Sequence, residues 1–87
     1  MEERDKQLLK MIRKQSEEGM SLLIDEYGGA IKAICSNVLR NYDAGIVQDA
    51  MQETVIRLWQ KLSQRFQVKK NLRAYIYPVS YTHLRAH

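Results

Sequence analysis

Val47 to Leu62, VQDAMQETVIRLWQKL, is the stretch that decides the fold. At about 100° per residue its apolar side chains gather on one side. Val47, Met51, Val55, Leu58 and Leu62 form that stripe, with Ala50 and Thr54 beside them. The spacing predicts a helix whose stripe faces a core. The opposite side carries Asp49, Gln52, Glu53, Ile56 and Gln60. A merely solvated face usually alternates Lys with Glu and holds no Ile. Acids and amides around a bare aliphatic suit a docking surface, although single exposed aliphatics are also ordinary.

Working outward, helical spacing recurs on both sides. Leu8, Leu9 and Ile12 sit among Lys and Arg between Asp5 and Gln15, a short amphipathic helix. Ser16 followed by Glu17 and Glu18 is a restart, with Ser16 as N-cap and acids in the first turn. Met20, Leu23, Ile24 and Tyr27 follow i, i+3, i+4, i+7 as a core stripe, and Gly28-Gly29 is expected to end that helix in a left-handed cap. Ile31, Ile34, Cys35, Val38 and Leu39 then make another stripe, and Asn41 to Gly45 is a turn. Downstream, Ser63 to Lys70 (SQRFQVKK) loses periodicity and is expected to be a basic loop. Asn71 caps a last helix, NLRAYIY, which Pro78 is expected to interrupt. No β-alternation of useful length occurs. The expected fold is all-α, a compact bundle of about four to five helices.

The 87 residues make one domain at most, and a domain of that size buries only about 60% of its unfolded surface. No apolar run approaches the roughly 18 residues of a membrane span, and the charged N-terminus lacks an apolar signal core. Cys35 has no internal disulfide partner and lies on an apolar stripe. That suits a buried small hydrophobe in a reducing cytoplasm.

Charge divides the chain more sharply than its net +4 suggests. All ten acids lie at or before Glu53, among seven Lys and Arg; the other seven, from Arg57 to Arg85, meet no acid. Trp59, Phe66, Tyr75, Tyr77 and Tyr81 share that basic end. Bases with aromatics are the composition of a surface that neutralises phosphates and stacks bases. The plainer account makes some of the aromatics, Trp59 above all, core residues.

The parts of an active site are missing. His83 and His87, the only histidines, have no Cys or carboxylate at ligand spacing, and Gly28-Gly29 lacks the pattern of a phosphate loop. Asp49 and Glu53 are i,i+4 carboxylates, yet no second helix offers an obvious Glu or His to complete a metal site. Neither catalysis, a metal nor a cofactor is expected.

QDAMQETVIRLWQKL, followed after the basic loop by NLRAYIY, resembles region 2 of bacterial RNA polymerase sigma factors of the sigma-70 family, most closely the extracytoplasmic-function group. MSLLIDEYGGAIKAICSNVLRN is similar to the preceding helices of that family, so the resemblance spans roughly Asp5 to Tyr77. Its most specific part is the D-x-x-Q-E…R-L-W run at Asp49 to Trp59 with NLRAY downstream. The resemblance implies that Asp49, Gln52 and Glu53, extended by Ile56, bind the clamp helices of the largest subunit of core RNA polymerase. It implies that the loop and the first turns after Asn71 capture unstacked bases of the promoter −10 element on the non-template strand. Lys61, Arg65, Lys69, Lys70 and Arg73 are then phosphate contacts. Phe66, Tyr75 and Tyr77 are base-stacking candidates, with a core role equally open for the two tyrosines. An anti-sigma factor is a further partner the resemblance admits, and the cytoplasm is the expected location.

Three departures accompany the match. Tyr75 stands where many relatives carry Trp, and the loop lacks the Asp and Pro common there. The family's last helix continues with a basic, apolar-periodic run, whereas this chain has PVSYTHLRAH. That segment resembles a translated sequencing adaptor, so residues 1–77 are expected to form the domain and 78–87 to be non-native. The family's region 4, the helix-turn-helix that reads the −35 element, is expected to be absent from this stretch. The rival expectation is a helical protein-interaction module of a transcription regulator with no direct DNA contact.

Overall fold

The computed structural model describes residues 2–64, 68 and 71–86. They form four helices: α1 (Glu3–Arg13), α2 (Glu17–Val38), α3 (Ala44–Ser63) and α4 (Leu72–Arg85). Three of the four starts are set by short polar side chains that accept a hydrogen bond from an otherwise orphaned amide. The Ser16 hydroxyl accepts from the Gly19 N–H at 3.1 Å, the Asp43 carboxylate from Ile46 at 3.0 Å, and the Asn71 amide oxygen from Ala74 at 2.8 Å. The expected caps at Ser16 and Asn71 are therefore present. Gln15, with φ 54°, takes the left-handed turn that ends α1.

One core joins all four helices. Leu8 and Ile12 of α1, Leu23, Ile31 and Cys35 of α2, Leu58 and Leu62 of α3, and Leu72, Ile76 and Leu84 of α4 are essentially inaccessible. Each of these leucines and isoleucines contributes about 1.5–3 kcal/mol on burial. The radius of gyration is 12.7 Å, near the roughly 12 Å expected of a compact chain this long. Helix α1 packs on α2 and α3 and barely reaches α4.

Two expected breaks are absent. Gly28-Gly29 does not end a helix: α2 runs through both glycines, and no glycine has positive φ. Leu23, Tyr27, Ile31, Ile34 and Val38 hold one angular phase across the pair. Their burial outweighs the roughly 1 kcal/mol that each glycine costs a helix interior. Pro78 likewise lies inside α4, which continues to Arg85. A proline there forfeits an amide hydrogen bond at a cost of about 3 kcal/mol. Against that cost stands the burial of Ile76, Ser80 and Leu84, with the Ser80 hydroxyl donating back to the Ile76 carbonyl at 2.7 Å. A smaller correction concerns Ile24, expected in the core but 44% exposed. Periodicity sets an angle about the helix axis, whereas cover at a given height depends on where neighbouring helices end.

Candidate docking and nucleic-acid interface

Helix α3 presents the expected two faces. Ala50, Thr54, Val55, Leu58 and Leu62 are buried, and Val47 and Met51 are half-buried at the edges of the core. The Thr54 hydroxyl is satisfied within the helix, donating to the Ala50 carbonyl at 2.7 Å. Asp49, Gln52, Glu53 and Ile56 are all exposed, as is Gln60. Ile56 leaves 49% of its surface in solvent, an aliphatic in a row of carboxylates and amides. Ile46, 38% exposed, lies three residues before Asp49 on the same side and lengthens the row by a turn. It escaped the sequence reading because it precedes the strongly patterned stretch.

The basic end is only partly described. Lys61 is exposed in the last turn of α3, Asn71 is exposed as the cap of α4, and Arg73 is exposed in the first turn of α4. Arg65, Phe66, Lys69 and Lys70 lie outside the described residues. Tyr75 and Tyr77 are half-buried and pack against the core, and burial pushes the Tyr75 phenol above its ordinary pKa. The Arg73 guanidinium sits 5.9 Å from the centre of the Tyr77 ring, within cation–π range. Trp59 is half-buried and packed on the core, in line with its plainer role. Cys35 is fully buried, and its thiol titrates above its usual value because burial penalises the thiolate.

A carboxylate that the sequence reading passed over holds this end together. Asp5, in the first turns of α1, is only 8% exposed. Its Oδ1 accepts from the Tyr27 hydroxyl of α2 at 2.8 Å, and its Oδ2 accepts from the Leu72 N–H, the first amide of α4, at 3.4 Å. A carboxylate at a helix N-terminus also meets the positive end of the helix dipole. Burial, then the hydrogen bond to Asp5, raises the Tyr27 phenol far above its ordinary value of 10.0, while the charge of Arg73 acts the other way. The available signal was positional: Asp5 shares the i, i+3, i+4, i+7 stripe of Leu8, Leu9 and Ile12.

Among the described residues no group of three or more His, Cys, Asp or Glu is placed to hold a metal ion, and no helix is long and apolar enough to cross a membrane.

Together these features define an all-α domain with an exposed acid- and amide-rich face on α3 and basic side chains at the end of α3 and the start of α4. The chain belongs to the sigma-70 region 2 family, whose model matches residues 23–82. Domains of this family serve transcription initiation, engaging core RNA polymerase and promoter DNA. No curated protein and no solved structure matches the chain.

Proposed function

We propose that this domain docks on core RNA polymerase through the outer face of α3 and captures the non-template strand of the −10 element with its basic end, in the manner of an extracytoplasmic-function sigma factor. The observation that carries the proposal is the exposed row Asp49, Gln52, Glu53 and Ile56, set back to back with a buried stripe on the same helix. Carboxylates on that row meet basic side chains of the clamp helices, steering encounter and register. Ile56, with Ile46 beyond it, supplies the apolar centre that becomes desolvated on docking. Lys61 and Arg73, with Arg65, Lys69 and Lys70, neutralise phosphates, and Phe66 is the stacking residue of the segment between α3 and α4. An anti-sigma factor covering the α3 row would compete directly with polymerase.

The test is capture of core RNA polymerase by the chain beside an Asp49→Ala/Glu53→Ala variant of unchanged helicity. Capture by the parent and loss of at least tenfold in the variant, about 1.4 kcal/mol, is the expected result. Equal capture by both removes the docking assignment. A second reading, a helical interaction module without DNA contact, draws support from the packing of Tyr75 and Tyr77 against the core. Salt separates the two, because binding through several phosphates weakens steeply as salt rises whereas helix packing does not. The proposed adaptor origin of residues 78–87 is a separate matter, tested by sequencing the source gene across the codon for Tyr77.

A further inference from the structure

The last residue of α3 and the first residue of α4 are each hydrogen-bonded to α1. At the α3 end the Ser63 hydroxyl donates to the Ile12 carbonyl at 3.4 Å, besides its 2.7 Å bond to the Trp59 carbonyl. At the α4 end the Leu72 N–H donates to Asp5 at 3.4 Å. Asp5 and Ile12 are two turns apart on one rigid helix, about 10 Å along its axis. Among the described residues α1 and α4 make few contacts, and the Asp5 carboxylate bridges them. Its second oxygen is held by the Tyr27 hydroxyl, which fixes the carboxyl plane from a third helix.

We propose that Asp5 is a positioning residue for nucleic-acid capture: by accepting from the Leu72 N–H it ties the first turn of α4, already capped by Asn71, to α1 and so sets where Asn71 and Arg73 stand. This rests on the −10 reading above. A carboxylate repels a phosphate chain, so its removal by itself can only favour DNA binding, and a loss of binding on replacing Asp5 must pass through the geometry it imposes. The first turn of α4, with Asn71 and Arg73, is the part it orients.

The experiment compares the full chain with Asp5→Ala and Asp5→Asn. The Asn oxygen can still accept from Leu72 while its amide donates to the Tyr27 oxygen, so Asn preserves the cap without the charge. Three readouts are taken: binding to a fluorescent single strand carrying an A/T-rich −10 hexamer, capture of core polymerase, and amide exchange across α4. The expected result is strand binding about tenfold weaker in Asp5→Ala, with capture unchanged and faster exchange confined to Leu72–Tyr75. Asp5→Asn stays near the parent on all three. Unchanged strand binding in Asp5→Ala overturns the proposal. So does a loss matched by equal loss of capture and of protection throughout the chain, which marks a purely structural role. A parent that prefers neither this strand over its duplex nor over a scrambled strand fails before any variant is compared, and overturns the −10 reading together with the proposal.

Discussion

Glycines in this chain differ in what surrounds them, and substitution should separate them. A Cβ built on Gly19 would lie 2.7 Å from the Met11 carbonyl oxygen and 2.9 Å from the Ile12 nitrogen, both backbone atoms that cannot rotate away. Gly19 is where the start of α2 crosses the end of α1 at closest approach. Gly19→Ala should therefore destabilise the domain by about 1–3 kcal/mol, the usual cost of forcing atoms into a packed contact. Gly29, exposed in the middle of α2, meets nothing within 4 Å. Gly29→Ala should stabilise by about 0.5–1 kcal/mol through backbone entropy alone. Urea denaturation of the two variants beside the parent checks both signs. Two destabilised variants would mean that the helical course of α2 through Gly29 is wrong.

At the scale of the element, α4 carries the clearest conflict between local preference and tertiary gain. Pro78 is at its seventh position, too far in for the missing N–H to be one of the orphans of a helix start. The helix persists because Leu72, Ile76, Ser80 and Leu84 line one buried side of it. Pro78→Ala should restore the lost hydrogen bond and raise stability by about 1–3 kcal/mol. Circular dichroism should show an equal or slightly higher helix signal. A variant no more stable than the parent would place the end of the helix at Tyr77, where local rules put it. Helix α3 shows no such conflict: its cap, its stripe and its C-terminal Lys61 all agree with the element they build.

For the whole molecule, three acids with raised titration, the buried Cys35 and the half-buried Tyr27 and Tyr75, act in the same direction. Tyr27, Tyr75 and Cys35 each hold their proton more tightly when folded, chiefly because burial disfavours the charged form. A group whose folded pKa exceeds its unfolded value contributes stability that is complete below the unfolded pKa and is lost above it. The ordinary values are 9.0 for the thiol and 10.0 for the phenols. Stability should hold through neutral pH and fall progressively from about pH 9 upward. Thermal melts from pH 7 to 11 test this, with Tyr27→Phe expected to soften the alkaline decline above pH 10. A flat alkaline profile would mean that these groups are not buried in solution. The surface ion pair between Arg4 and Glu26, at 3.4 Å, should contribute little at any pH.

Much of this molecule was legible in advance because it rests on short-range rules. The 3.6-residue period of Val47 to Leu62 set both faces of α3, Ser16 and Asn71 announced two helix starts, and the division of charge at Glu53 marked the basic end. The exposed row Asp49, Gln52, Glu53 and Ile56 follows from the same period, since the residues opposite a buried stripe must face outward. Where local signals and burial disagreed, the sequence pointed the wrong way. Glycine and proline disfavour a helix by known increments, but whether a helix crosses them depends on apolar contacts made by residues far along the chain. Asp5 shows the same limit at the candidate site. Its sequence context is a charged N-terminus, and only folding brings it to an amide 67 residues away. Period and caps are properties of neighbours in the chain, and the sequence alone determined them. Continuity through Gly28, Gly29 and Pro78, and the fastening of α4 to α1, arise from neighbours in space, and only the tertiary structure decided them.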